Sequence, residues 1–215
     1  MITLPQSGGL AKNRPRPYVI GLTGNIGTGK STVLRMLVDL GAQVLDADQI
    51  SRQVMQPDGL AYEEIVRTFG QDILEPDRQI DRQRLGQIVF RDAEALSRLE
   101  SIVHPAVYQQ VKRQIEMSQA SVFVLEAIKL LESALTLSLC DAIWVVTARP
   151  EVALARLVKQ RGMDEDEARR RLAHQMPQEE KVARADVVID NSGTLEETLA
   201  QVLAAWRQIG TTLTG

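Results

Sequence analysis

Residues Gly24 to Ser31 read G-N-I-G-T-G-K-S and follow the apolar run Tyr18–Thr23. Glycines at 24, 27 and 29 let the main chain curl until successive N–H groups point inward, the geometry that holds phosphate oxygens. A helix beginning near Gly29 aims its positive end at the same anion. Lys30 adds a mobile charge for β- and γ-phosphates, and Ser31 a hydroxyl for Mg²⁺. Polyphosphate binding is therefore the first chemistry these residues offer. A glycine-rich hairpin turn is the alternative, and the helical run after the loop argues against it.

The second constellation is Val44-Leu45-Asp46-Ala47-Asp48, at the end of the next strand pattern. In an open α/β sheet, ligands bind at the carboxyl ends of the strands. Asp46 and Asp48 share one side if the strand continues through both. A carboxylate here can accept the proton of an attacking hydroxyl or hold Mg²⁺ through water. Alternatively Asp48 caps a helix that starts at Gln49.

Elements able to position these groups are legible along the chain. Strands are predicted at Tyr18–Thr23, Gln43–Leu45, Val122–Glu126, Ala142–Thr147 and Asp186–Ile189, several of them continuous β-branched runs suited to burial on both faces. Helices are predicted at Gly29–Leu40, Leu60–Phe69, roughly 85–117 with a break at His104-Pro105, Pro150–Gln160 and Leu195–Trp206. The segment from Gly70 to Leu85 reads as a surface excursion. Alternation of this kind predicts an α/β fold on a parallel sheet with right-handed crossovers.

Composition sets the bounds. The 215 residues are 44% hydrophobic and 25% charged, which suits one globular unit with a core. A net charge of −3 gives no general nucleic-acid or membrane surface. Cys140 is the only cysteine, so no intrachain disulfide forms and a reducing, cytoplasmic setting is expected. Residues 1–17 and 208–215 are expected to be tails, the first disordered.

The ordered set of blocks resembles the dephospho-coenzyme A kinases. It comprises Tyr18 to Ser31 with V-L-D-A-D at 44–48, His104-Pro105-Ala106-Val107, Ala155 to Arg161 with R-L-A-H-Q-M-P at 171–177, and A-D-V-V-I-D-N-S-G at 185–193. The resemblance spans about 18–207. It implies a five-stranded parallel-sheet P-loop kinase fold like that of the nucleoside monophosphate kinases, with a helical substrate-binding insertion at about 50–117 and a small helical lid at about 156–177. It also implies transfer of the ATP γ-phosphoryl group to the ribose 3′-hydroxyl of dephospho-coenzyme A, with ATP and Mg²⁺ required, and a monomer or weak oligomer. Carried over, Asp48 is the general base and Asp46 supports it or the metal.

The nucleotide is expected on Gly24, Asn25, Ile26, Gly27, Thr28, Gly29, Lys30, Ser31 and Thr32. Asn191 and Gly193, after the last strand, edge the adenine or form a simple turn. The chain departs from the family pattern at Glu126-Ala127-Ile128-Lys129-Leu130-Leu131-Glu132, where Ile128 and Lys129 replace an expected proline and leucine. Glu126 keeps an acid at the strand end and could hold Mg²⁺ with Ser31. Lys129 faces either acceptor phosphate or solvent. Arg52, one turn after Asp48, could reach acceptor phosphate, and His104 either caps a helix or touches the acceptor.

Permanently charged guanidinium groups suit the charge of phosphoryl transfer. Arg156 is predicted to approach the triphosphate only when the lid, hinged at Gly162, closes, and Arg161 to reach substrate. Arg169, Arg170 and Arg171 span roughly 200° of a helix, so they cannot all face one ligand. A rival enzyme class is another small-molecule or monophosphate kinase. A P-loop regulator is a rival of a different kind, but the chain has no N-K-x-D run to read guanine.

Overall fold

The computed structural model describes residues 16–214. Five parallel strands, β1 (Tyr18–Thr23), β2 (Gln43–Asp46), β3 (Val122–Glu126), β4 (Ala142–Thr147) and β5 (Val187–Asp190), form one sheet in the order β2-β3-β1-β4-β5. The expected α/β fold and parallel sheet are therefore present. Three of the five strands have the predicted limits, and β5 is shifted by one residue.

The central strands are apolar on both faces because helices cover both faces. On one side Val19, Phe123 and Leu125 pack with the helical insertion. On the other, Ile20, Leu22, Val124 and Val146 pack with α1 (Lys30–Asp39) and the C-terminal helix. Removing each such side chain from water contributes about 1.5–3 kcal/mol. Trp144 is fully buried among them, while Trp206 is only partly covered. Gly21 sits in mid-strand because Leu130 and Cys140 press onto it, leaving no room for a Cβ. Burial pushes the Cys140 thiol up to about 12, so it is no nucleophile at neutral pH.

The insertion comprises α2 (Ala47–Val54), α3 (Tyr62–Phe69), α4 (Arg82–Val89) and α5 (Ala93–Met117). The excursion after Gly70 contains a short 3₁₀ turn and one antiparallel bridge, Leu74 to Ile80. The predicted helix break at His104-Pro105 is not there. The chain breaks before Asp92, whose carboxylate caps α5 by accepting from the Glu94 N–H. Pro105 lies inside α5, between the buried Val103 and Ala106, and the packing of that face outweighs one missing backbone bond.

After β3 come α6 (Ala134–Leu137), β4, α7 (Pro150–Arg161), α8 (Glu165–Ala173), α9 (Gln178–Val182), β5 and α10 (Leu195–Thr214). Both expected tails need correction. The expected N-terminal tail lies mostly outside the described residues, but Arg16 is anchored, with both guanidinium arms on Asp141 at 2.9 Å. At the other end α10 runs to Thr214 and its own Ile209 is buried, so 208–214 is helix rather than tail.

Candidate active site

β1 delivers its loop at the centre of the sheet, between the ends of β3 and β4. Gly29 adopts a φ of +86°, and a Cβ there would collide with the Asn191 amide, so only glycine suits the position. α1 then starts at Lys30, with Ser31 exposed in its first turn and Thr32 half-buried behind it. Within the loop the Thr28 hydroxyl donates to the Asn25 carbonyl at 2.8 Å, and Lys30 Nζ donates to the Gly24 carbonyl at 2.8 Å. Lys30 also faces Glu126 Oε1 at 3.9 Å. Burial lowers the Lys30 pKa, and Arg161 lowers it further, while Glu126, Asp48 and Asp46 oppose that shift. An incoming phosphate would act in the same sense as the three carboxylates.

Arg156 departs from expectation. It already lies beside the loop, with Nη1 donating to the Thr28 carbonyl at 3.2 Å and Nη2 to the Asn191 carbonyl at 2.7 Å. α7 carries it there directly, because α7 packs behind the loop and Ala153 abuts Gly27. Arg156 braces the loop in this structure. Asn191 is a brace too. It is buried, donates to the Thr28 carbonyl at 2.8 Å and accepts from the Thr198 hydroxyl at 2.9 Å, so its side chain is committed to the loop and not to a base. Gly193 is exposed beyond it.

The lid's far end is also tied down. Ile26 N–H donates to Gln175 Oε1 at 2.8 Å, and Asn25 Nδ2 to the Met176 carbonyl at 3.1 Å. Arg161, at the exposed end of α7, still falls within electrostatic reach of Lys30. Arg169 and Arg171 pair with Glu165 and Glu167 one turn back along α8, as exposed helix pairs.

At the neighbouring strand ends, β2 stops at Asp46, which caps α2 by accepting from the Gln49 N–H at 3.0 Å. The cap is therefore Asp46 and not Asp48, and the two do not share a strand face. Asp48 lies in the first turn of α2, half-buried. Burial raises its pKa, Asp46 raises it further, and the Ile128 N–H, Arg52 and Lys30 oppose. Arg52 folds back onto the Asp48 carbonyl at 3.2 Å. Glu126 sits opposite Asp46 in the strand register, and its pKa is raised by burial, with Lys30 opposing and Asp46 and Asp48 adding. The three carboxylates act on one another electrostatically, but no group of three or more His, Cys, Asp or Glu side chains among the described residues is arranged to hold a metal ion.

Asp48 opens onto a cleft of about 310 Å³ between α2, α5 and the segment after β3. His104, Ser51, Leu99, Lys129 and Glu132 line it. His104 thus stands in the wall of the cleft. Lys129 lies at its rim, 77% exposed and paired with Glu132 at 3.2 Å.

One residue near this site gave no signal in the sequence. Lys181 lies in Q-E-E-K-V, which reads as a solvated helix face, yet it is buried and donates to the Ile128 carbonyl at 3.0 Å. Only the packing of α9 under the sheet edge reveals it.

A phosphate loop at the centre of a parallel sheet, with carboxylates at adjoining strand ends and a helical lid, defines a P-loop phosphotransferase. The dephospho-CoA kinase family model matches residues 18–197. A dephospho-CoA kinase from Carboxydothermus hydrogenoformans is 47% identical over 188 residues, covering 86% of this chain and 91% of its own. Two solved structures are similar throughout. TT1252 from Thermus thermophilus superposes with a TM-score of 0.77 at 34% identity, over 89% of this chain and 97% of that one. The dephospho-CoA kinase from Campylobacter jejuni does so with a TM-score of 0.65 at 27% identity, over 90% and 98%. The chain belongs to the dephospho-CoA kinase family, and so is a kinase that uses ATP.

Proposed function

We propose that this chain transfers the γ-phosphoryl group of ATP to the ribose 3′-hydroxyl of dephospho-coenzyme A, giving coenzyme A and ADP, the last step in making coenzyme A. The observation that carries the reading is one juxtaposition. Lys30 and Asp48 lie within electrostatic reach of each other, and Asp48 opens onto a cleft of about 310 Å³.

In this reading the loop from Gly24 to Thr32 cradles the phosphates with the N–H groups that the fold leaves to it, and Lys30 leaves the Gly24 carbonyl for the β- and γ-oxygens. Arg161 adds charge from the end of α7. Arg156 and Asn191 keep the loop in shape, and Gly193 borders the adenine. Ser31 and Glu126 would hold Mg²⁺, which neutralises charge between the β- and γ-phosphates. Asp48 accepts the proton of the 3′-hydroxyl as its oxygen attacks phosphorus. Asp46 holds the start of α2, and with it Asp48, in place. Arg52 and Lys129 offer cations at the rim for acceptor phosphate, and His104 offers a ring to the acceptor. One chain supplies all these groups, which supports a working monomer or weak oligomer. No helix among the described residues is long and apolar enough to cross a membrane. A cytoplasmic setting is part of the proposal and rests on the family.

The test is ADP release followed for dephospho-coenzyme A, adenosine, AMP and pantetheine phosphate, with coenzyme A identified as product. Turnover of AMP without turnover of dephospho-coenzyme A overturns the reading.

A further inference from the structure

Two hydrogen bonds join the foot of the lid to the tip of the phosphate loop. The Ile26 N–H donates to Gln175 Oε1 at 2.8 Å, and Asn25 Nδ2 donates to the Met176 carbonyl at 3.1 Å. All four residues are partly buried, and Gln175 and Met176 lie just after α8. The stretch is anchored again two residues on, where Gln178 Oε1 accepts from the Ala148 N–H at 3.1 Å. Asn25 Oδ1 is buried without a hydrogen-bond partner among the described residues. Turning that carboxamide over would cost more, because two oxygens would then face each other at Met176.

The Asn25 carbonyl and the Ile26 N–H belong to one planar peptide unit. Gln175 holds its N–H edge. Thr28 holds its carbonyl edge, through its own N–H at 3.3 Å and its hydroxyl at 2.8 Å. A rigid plane bonded at both edges keeps one orientation, with the oxygen turned into the loop at Thr28 and the N–H turned toward the lid. Freed at one edge the plane can rotate, and the peptide dipoles of the turn are then no longer set when an anion arrives. Thr28 is also the residue whose carbonyl accepts from Arg156 and Asn191. One peptide plane therefore links the foot of the lid to the brace on the other side of the loop.

We propose that Gln175 is a positioning residue for ATP: from the foot of the lid its side-chain oxygen fixes the plane of the Asn25–Ile26 peptide, and with it the shape in which the loop meets phosphate. The bond from Asn25 to the Met176 carbonyl completes a two-bond clasp. The inference rests on the reading that this loop holds the phosphates of ATP and requires nothing of the acceptor.

The experiment compares the parent with Gln175→Met, which keeps the length of the side chain and removes the acceptor oxygen, and with Gln175→Glu, which keeps an acceptor oxygen. ATP affinity is measured by calorimetry without acceptor, and exchange of the Ile26 amide by NMR without nucleotide. Gln175→Met should weaken ATP binding about fivefold, quicken exchange at Ile26 about tenfold or more, and leave kcat at saturating ATP within about twofold of the parent. Gln175→Glu should keep exchange at Ile26 slow, which a residue that merely fills space would not require. ATP affinity equal to that of the parent, or unchanged exchange at Ile26, in Gln175→Met overturns the inference. So does a loss of kcat with ATP affinity kept, or exchange in Gln175→Glu as fast as in Gln175→Met. Failure of the parent to phosphorylate dephospho-coenzyme A would sink the proposed reaction alone, because ATP binding is measured without acceptor. If Gln175→Met does not fold, Asn25→Leu removes the other bond of the clasp at nearly constant size. Weaker ATP binding together with quicker exchange at Ile26 supports the inference, and a change in only one of them or in neither rejects it.

Discussion

Around the phosphate loop nearly every polar contact returns to main chain. Lys30, Thr28, Arg156 and Asn191 all donate to backbone carbonyls of the loop or its immediate neighbours. Around the cleft beside Asp48, side chains from α2, α5 and the segment after β3 converge, and Lys181 reaches that segment from a fourth element, α9. The first region needs particular backbone conformations and is intolerant of a Cβ at Gly29. The second needs particular side chains at loosely constrained positions.

The contrast breaks first at Lys30. Lys30→Ala should lower turnover on the order of 10²–10⁴ and leave the circular dichroism spectrum and melting temperature near those of the parent, because in the proposed reading Lys30 holds the transferred phosphate and it lies outside both apolar cores. Near-normal turnover would mean that the loop does not hold the transferred phosphate.

Asp48→Asn probes the other region. It should cut kcat by about 10² or more with little change in KM for ATP, because asparagine keeps the size but cannot accept the proton. A change confined to KM for ATP would move Asp48 to the metal side.

Arg156→Ala sharpens the comparison, since Arg156 braces the loop in this structure. KM for ATP should rise by about 10-fold, and hydrogen exchange at Thr28 and Gly29 should quicken even without nucleotide. Unchanged exchange in the ligand-free protein would return Arg156 to a role in closure. His104→Ala should act only on the acceptor side, raising KM for dephospho-coenzyme A a few-fold, about 1 kcal/mol of binding, with KM for ATP untouched.

The smallest effect is on stability. The folded-state pKa of Lys181, about 8, lies below its ordinary 10.5, so the folded chain releases this proton before the unfolded chain does. On this group's account, stability climbs as pH rises from 8 toward 10.5, where the penalty of burying the charge is gone. Lys181→Met lacks that penalty at every pH. Its denaturation midpoint relative to the parent should therefore be highest near pH 7.5 and shrink toward pH 10. A constant difference across that range would mean that Lys181 does not titrate there.

Gly24 to Ser31 was legible because the function resides in consecutive residues, each restricted by its own backbone. The parallel sheet was legible because β-branched runs alternate with capped helices, a pattern that leaves few topologies. Asp46 and Asp48 were found as a pair, but which of them caps α2 depended on where β2 stops, and that is set by pairing with β3. The helix through Pro105 could not be read locally, since the packing of α5 overrides the preference of the residue before a proline.

By itself, then, the sequence determined the phosphate loop, the order of elements and the family, since these depend on short-range spacing and conformational freedom. Only the tertiary structure decided that Arg156 and Asn191 bond the loop, that His104 lines the cleft beside Asp48, and that Lys181 is buried against Ile128. Those facts depend on contacts between residues far apart in the chain, 128 positions for Arg156 to Thr28, 163 for Asn191 to Thr28 and 53 for Lys181 to Ile128, and polar side chains at such separations carry no period to announce which way they turn.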